Sequence, residues 1–449
     1  MVTVRTSLQK VKDDYGQLIP APAILQICAA VNYQFRQRLL GPVETIYLFL
    51  VQVLNGNTAC SHLRHLTGIP CTGWAYGKAR ARLPVNLLAM LLRWVCQALG
   101  KVTSTAPRWH GHRVFHVDGS SFSMPDTPAL QEAFGQPGGQ KQGCGFPVAH
   151  LLAMFDAATG MIVDVLAAPL RTHEMSRIAC MHPQLQPADV LVADRGFCSY
   201  AHLALLLLRN LHGVFRIHQR TLVDFTPHRP HVHPRDHKAP KGLPRSRWVR
   251  CVGVQDQIVQ WFRPQQRPTW MMEEEFSRLP ESITVRELRY RVGTPGFRTR
   301  EILLVTTLLD AQRYPPEDLA DLYRCRWQVE VNLRHLKQTM KMDVLRCRSP
   351  EGVLKEMLMF ALAYNLVCLV MCQAAQRQGV PPERISFVDA LRWLRNWEPT
   401  RKLIDLLINP HRPGRVEPRV VKRRPKQYPL MNQPRQILRK RIKEQTVAA

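Results

Sequence analysis

Between Leu319 and Met340 the sequence reads LADLYRCRWQVEVNLRHLKQTM, and no other stretch of this 449-residue chain concentrates as many groups able to act on a phosphate. At helical spacing Tyr323, Arg326, Glu330 and Lys337 fall within a sector of about 60°, so they form one polar stripe. Beside it run Leu322, Val329, Leu333 and Leu336, an apolar stripe that pins such a helix to a core and turns the polar stripe toward a cleft. A carboxylate then stands among three potential phosphate contacts. A solvated charged face is the ordinary account of a mixed stripe, and the stripe alone leaves both accounts open.

The spacing separates them. Tyr, two residues, Arg, three residues, Glu, six residues, Lys at 323, 326, 330 and 337 resembles, without a gap, the signature helix of the DDE transposases of the insertion-sequence "IS four" family. That resemblance implies two upstream aspartates, each at a strand end. The β-rich run RVFHVDGSSFSM ends its apolar part in Asp118, followed by Gly119 and Ser120. A second run, ADVLVADRGFCS, ends in Asp194, followed by Arg195, Gly196 and Phe197. The family strings DGS and DRGF thus stand at both places.

Three carboxylates converging from distant parts of a chain are what two divalent cations about 4 Å apart need as ligands. Oxygen donors without Cys or His favour Mg2+, with Mn2+ as a substitute, over zinc. Such a site cuts a phosphodiester with water and then joins the freed 3′-hydroxyl to another DNA, since only the nucleophile changes. Arg326, Lys337 and the Tyr323 hydroxyl are expected to position phosphates. By resemblance, the chain is a cut-and-paste transposase that binds the terminal inverted repeats of its element as double-stranded DNA and works as a homodimer. The competing account is a noncatalytic, transposase-derived DNA-binding regulator. The intact set Asp118, Asp194 and Glu330 speaks against it.

Elements able to position these groups are readable around them. The expected fold is α/β, a ribonuclease H-like core of mixed sheet flanked by helices over 106–220 and 301–375. A helical DNA-binding domain over 1–105 precedes it, a mostly β insertion over 221–300 interrupts it, and a helical region with a basic tail over 376–449 follows. In the first domain, ACSHLRHLTGIPCTGWAYGKARARLP reads as a short helix, a TGIP turn and a second helix with Ala75, Ala79 and Leu83 inward and Lys78 and Arg82 outward. A helix-turn-helix DNA reader and an ordinary helical hairpin both fit that pattern. PVAHLLAMF and MIVDVLAAPL flank DAATG as a hairpin, with Asp156 a turn residue and Asp164 an outward strand residue. A short helix is expected around Glu174 to Met181.

Some features carry no site. The histidines at 228, 231, 233 and 237 lie in a Pro-, Arg- and Lys-rich loop without metal-ligand spacing, and Arg177 stands where a zincin motif begun by His173-Glu174 needs its second histidine. Twelve cysteines without a CxxC pair fit reduced thiols. The run Met357 to Cys372, broken by Tyr364 and Asn365, is expected as a buried core helix. The N-terminus lacks a secretory segment, so a cytoplasmic protein is expected. Some relatives place a tryptophan shortly before the signature helix to stack on a flipped base; here TREILLV occupies that place, leaving Trp248, Trp261 and Trp270 unassigned.

Lys and Arg number 62 against 34 acidic residues, a formal net charge of +28. Spread through the chain instead of beside an apolar anchor, that excess implies a polyanion, and nucleic acid over membrane. The tail RPGRVEPRVVKRRPKQYPLMNQPRQILRKRIK is expected to be disordered when free and to contact phosphates when bound. Duplex affinity should therefore fall roughly 10³-fold or more between 50 and 200 mM salt in an anisotropy titration. A flat salt dependence would count against phosphate-dominated binding.

Overall fold

The structure, a computed structural model, describes residues 19–69, 71–102, 108–172, 175–235, 242–291, 301–396, 403–410 and 430–447. His173, Glu174, His237 and most of the basic tail lie outside the described residues. The chain opens with helices α1 (Ala21–Ala30), α2 (Pro42–Leu54), α3 (Leu63–Thr67), α4 (Gly73–Arg82) and α5 (Val85–Val102). Strand β1 (Val114–Ser123), helix α6 (Pro128–Phe134) and the hairpin β2 (Val148–Asp156) and β3 (Ile162–Pro169) follow. Next come α7 (Met175–Ile178), β4 (Val190–Ala193), α8 (Tyr200–Leu208) and β5 (His212–Arg216). The insertion supplies β6 (Arg247–Gly253), β7 (Asp256–Phe262), α9 (Glu273–Ser277) and β8 (Ser282–Arg291). Then β9 (Glu301–Thr306) leads to α10 (Pro316–Cys325), α11 (Gln328–Arg334), α12 (Pro350–Gln378), α13 (Phe387–Arg395) and α14 (Arg435–Val447).

Among the described residues the strands form one mixed sheet in the order β3-β2-β1-β4-β5-β9-β8-β7-β6. Strand β4 is parallel to both β1 and β5, and the other pairings are antiparallel. All four residues of β4 are buried, as a parallel strand covered on both faces requires. Alternation sorts the side chains: Phe115, Val117, Leu191, Ala193 and Phe215 join the core that includes α8, whereas Val114, Val190, Val192 and Val214 join the core that includes α10. The insertion is not set apart from this sheet, because β8 pairs with β9 from Arg286↔Thr306 to Arg291↔Glu301. A buried ion pair anchors it. Arg286 grips both oxygens of Asp256 at 2.8 and 2.5 Å and also donates to the Tyr314 carbonyl just before α10.

The long apolar helix α12 has the length and composition of a membrane span, yet 83% of its most apolar window is buried inside the protein. Asn365, the polar interruption in its sequence, explains its seat. Its amide accepts from Ile162 N and donates to Ile162 O, both at 2.8 Å, and so pins α12 to the start of β3. The N-terminal helices are fastened to the same helix, with Lys355 Nζ donating to Ala81 O and Asn57 Nδ2 donating to buried Glu356.

Three expectations need correction. Asp164 is not outward but buried, because α5 covers β3; Arg93 and Cys96 of α5 act on its carboxyl or lie in its field, and burial pushes that carboxyl up to about 6. The tail is not all irregular, since the proline-free stretch Arg435–Val447 is helical and carries a Lys440–Glu444 pair at 3.8 Å. The segment expected as a helix to Met181 is α7 followed by a 3-10 turn over Ala179–Gln184, with Pro183 inside it. The hairpin β2–β3 forms as expected, and Asp156 caps its turn by accepting from Ala158 N and Thr159 N. All twelve cysteines are free.

Burial leaves several imidazoles neutral. His182 and His202 stack with ring centroids 5.2 Å apart, and His335 stacks on Phe387 at 4.4 Å. Burial pushes them down from 6.5 to about 3, about 4 and about 4 respectively, with neighbouring positive groups adding to the shift for His182 and His335. The unfolded chain therefore binds protons that the folded one refuses. Stability present above about pH 6.5 should drain away as pH falls toward 4, each imidazole contributing up to about 1.4 kcal/mol per pH unit. Urea midpoints at pH 7, 6 and 5 should decline, and His202→Gln should flatten the slope if it folds; a midpoint independent of pH would refute this account.

Candidate active site

The site begins with a mismatch in strand length. Parallel pairing of β1 with β4 runs from Val114↔Val190 to Val117↔Ala193 and stops there. Asp118 and Asp194 are the next residue on each strand, so neighbouring strands deliver two carboxylates side by side. Contrary to expectation, Asp118 is not at a strand end. Strand β1 continues to Ser123 because β2 keeps pairing with it, from Asp118↔Ala153 to Ser123↔Val148. Beyond Val117 it is β4 that has run out, and the missing neighbour opens the cleft. Asp118 Oδ1 accepts from Gly119 N at 2.8 Å, which orients the carboxylate.

The signature segment closes over this opening, but not as one uniform helix. After α10 the backbone stays right-handed while the bonding tightens to i→i+3, with Arg326 N to Tyr323 O at 3.1 Å and Trp327 N to Arg324 O at 3.2 Å. A 3-10 turn eclipses residues three apart, which brings the Arg326 guanidinium near the Tyr323 ring, 5.7 Å from its centroid. Regular helix resumes in α11, and a π-helical stretch over His335–Thr339 carries Lys337. Single π turns re-aim side chains and recur at functional sites. The apolar stripe is buried as the sequence implies, though Leu322 packs in one core and Val329, Leu333 and Leu336 in another.

Six of the eight expected residues meet here. The Tyr323 hydroxyl donates to Asp194 Oδ1 at 3.2 Å. Arg326 bridges two carboxylates, reaching Asp118 Oδ2 and Glu330 Oε1 each at 3.5 Å. Lys337 Nζ reaches further along β1 and donates to Ser120 Oγ at 2.9 Å. Just past the π stretch, Ser123 N donates to Asp343 O and Leu345 N to Ser123 O, which sews this segment to the end of β1. Lys78 and Arg82 stand elsewhere, exposed on α4.

Charge in the cluster is centred on Arg326, whose side chain is only 9% exposed. Burial opposes its charge, yet Tyr323, Asp118, Asp194 and Glu330 together hold its pKa above the ordinary value. Burial raises the Tyr323 hydroxyl, so it stays protonated as a donor. Burial also lowers the Lys337 ammonium. His116, which sequence reasoning overlooked, sits two residues before Asp118 on the same face of β1; the period-2 pattern would have flagged it. Burial first, and Arg326 second, push it down to about 4, and its Nε2 has no hydrogen-bond partner.

Among the described residues no group of three or more Asp, Glu, His or Cys side chains is arranged to hold a metal ion. The donor chemistry fits one nevertheless. Asp118 and Glu330 are gathered around a cationic group with Asp194 in its field, and all three offer carboxylate oxygens, the donors that a hard divalent cation takes. The tryptophans left unassigned are half-buried: Trp261 donates to Glu287, Trp248 packs on His228 at 4.3 Å, and Trp270 packs against the α8 core.

Asp118 on β1, Asp194 just past β4 and Glu330 on α11 thus surround one guanidinium, and comparison with known proteins gives the family. The model of the family described as "Transposase DDE domain" matches residues 109–366, more than half of the chain. The chain is similar to the transposase InsG for insertion sequence element IS4 of Escherichia coli K12, 27% identical over 343 residues, covering 72% of this chain and 70% of the relative. It is also 41% identical over 49 residues to the transposase for insertion sequence element IS421 of Escherichia coli, a match covering 11% of this chain and 13% of the relative. A piggyBac transposase synaptic complex with hairpin DNA superposes with a TM-score of 0.40 at 11% identity, over 88% of this chain and 80% of that one. That likeness is too remote to carry an argument. The chain belongs to the DDE transposases, in the insertion-sequence IS4 family.

Arg326→Met removes the cation between two carboxylates and leaves the methylene packing. Folding stability in metal-free buffer should drop by about 1–2 kcal/mol, discounted from the cost of breaking a fully buried pair because Glu330 is half-exposed. Denaturant titration measures it, and an unchanged midpoint would show that the guanidinium does not hold the acidic cluster together.

Proposed function

We propose that the chain binds the terminal inverted repeats of its insertion sequence and catalyses metal-dependent strand cleavage, followed by transfer of the 3′-hydroxyl into target DNA. The single observation that carries this is the side-by-side delivery of Asp118 and Asp194 by β1 and β4, with Glu330 tied to Asp118 through Arg326. In this proposal residues 106–220 and 301–375 are a ribonuclease H-like core. Residues 1–105 bind the ends, 221–300 form the insertion, and 376–449 add a helical region and a basic tail. The chain works as a homodimer holding two ends, in the cytoplasm, on double-stranded DNA.

Asp118, Asp194 and Glu330 would hold the Mg2+ ions, with Mn2+ as a substitute. When bound, the ions supply Lewis acidity for activating water or a 3′-hydroxyl and for stabilising the leaving oxygen. The protein's own groups do the rest. Tyr323, kept protonated by burial, donates to Asp194 and fixes which oxygen faces the cleft. Arg326 neutralises repulsion between Asp118 and Glu330 and so lowers the barrier to a phosphate entering beside them. Lys337, held by Ser120 along β1, places a second cation for the DNA backbone.

Glu330→Ala, Asp118→Ala and Asp194→Ala should each abolish cleavage of labelled DNA carrying the element's own repeats, while binding to that DNA persists in EDTA. Wild-type cuts should be strand-specific, lie at the repeat tip and require Mg2+. Full activity in any one variant would remove that residue from the site, and binding without cutting by the wild type would leave a noncatalytic regulator.

A further inference from the structure

The observation lies on α4, away from the acidic cleft. Between Glu44 and Asp118 the sequence contains no acidic residue, while Arg64, Lys78, Arg80, Arg82 and Arg93 fall in that interval. Helix α4 divides its residues sharply. Tyr76, Ala79 and Leu83 are buried, and Arg80 is turned in as well, donating to Gln52 Oε1 at 2.8 Å and to Cys347 Sγ at 3.1 Å. Trp74, Lys78 and Arg82, spaced four and eight residues apart, line the opposite face and are exposed. The Lys78 ammonium lies 5.7 Å from the Trp74 ring centroid.

Two details mark this face as built for a partner. Trp74 is 74% exposed, an outlay of apolar surface that folding does not reward. Gly77 sits on the same helix at an ordinary helical position, and a Cβ there would meet nothing within 4 Å. Packing within the chain therefore does not demand this glycine, although glycine weakens helices. What its missing side chain allows is close approach of something from outside. At the other end of the face, Ala81 is exposed and carries only a methyl. The face is thus flat between an indole and an arginine, and its length from Trp74 to Arg82 is roughly 12 Å, about the width of the major groove of B-DNA.

We infer that the outer face of α4 enters the major groove at the element's end and that Trp74 is a specificity-determining residue, its indole resting on thymine methyl groups while Lys78 and Arg82 take the phosphates that flank the groove. This rests on the proposed end-binding function and deepens it. An apolar ring reads the C5-methyl of thymine, a group that no other base presents in that groove. The two cations give affinity without much discrimination. Close contact is possible because Gly77 puts no side chain, and Ala81 only a methyl, between the helix backbone and the groove wall.

The test measures affinity of the full chain for a labelled duplex of its own inverted repeat, and for an unrelated duplex, by anisotropy at fixed salt. Trp74→Ala should weaken binding to the repeat about tenfold and change binding to the unrelated duplex by less than about twofold. Lys78→Ala should weaken both alike. Replacing individual thymines by deoxyuridine should reproduce the loss at one or two positions for the wild type and add nothing further for Trp74→Ala. Gly77→Leu, which raises helix propensity and whose Cβ meets nothing within 4 Å, should fold and yet bind the repeat poorly. Equal losses on both duplexes, full sensitivity to deoxyuridine in Trp74→Ala, or a change in oligomeric state without a change in repeat binding would each overturn the assignment. Wild type that fails to distinguish its own repeat overturns end recognition itself. Repeat binding that survives Trp74→Ala and Gly77→Leu overturns only the role of α4.

Discussion

The parallel pairing of β1 and β4 is the constraint on which the rest of the structure depends. A parallel neighbour forces a crossover and cover on both faces of the sheet, and the chain meets that demand with α8 on one side and α10 and α12 on the other. Because β4 stops at Ala193 while β1 runs on against β2, the same pairing leaves a gap in the sheet directly beyond two aspartates. Every other element of the site serves that gap. The α10–α11 segment roofs it, the chain at 343–345 edges it, and the insertion extends the sheet on the far side through β8 and β9 without crossing it.

A gap with carboxylates beside it is electrostatically unfavourable, and Arg326 is the local remedy. Its position depends on the tightened turn after α10, which trades regular helix bonding for the alignment of Tyr323 with Arg326. The same segment also reaches the N-terminal helices. Leu345 bonds Ser123 at the end of β1, and Arg346 N and Cys347 N both donate to Glu356, which Asn57 also engages. Arg80 of α4 then touches the Cys347 thiol. One continuous run of hydrogen bonds thus fixes the buried side of α4 relative to the acidic cleft.

The residues that the fold gathers around Arg326 were legible in the sequence because their spacing is a local property. Tyr323, Arg326, Glu330 and Lys337 follow helical arithmetic, and the aspartates announce themselves by the strings around them. What escaped depends on partners far away in the chain. Whether β1 ends at Asp118 is decided by β2, some thirty residues later, and not by the residues after Asp118. Asp164 looked outward because alternation shows only which residues share a face, and the helix that covers its face, α5, lies upstream. The change from α to 3-10 to π bonding leaves no mark in a stripe that tolerates each of them. Asn365 shows the reverse case: a polar break in an apolar run that reads as a defect, yet its two hydrogen bonds to Ile162 supply the seat of the helix.

Burial takes charges of both signs off the surface, Arg229, Arg286, Arg326 and Lys355 among them, and leaves the net +28 largely outside. Several of the 34 acids are spent inside: Asp164, Asp189, Asp256, Glu287 and Glu356 are all buried. They answer to buried amides and arginines and project little field outward. Against this background Asp118, Asp194 and Glu330 are a negative point within a positive protein, and phosphate drawn in by the surrounding lysines and arginines is repelled at the one place where chemistry would occur. Long-range attraction and local repulsion therefore oppose each other at the cleft, on length scales separated by screening over about 8 Å at physiological salt. The contest is settled by whatever positive charge stands among the carboxylates. In this structure that charge is the buried guanidinium of Arg326, bonded to Asp118 and Glu330 and within the field of Asp194, which lets a phosphate approach the cleft without facing three bare anions.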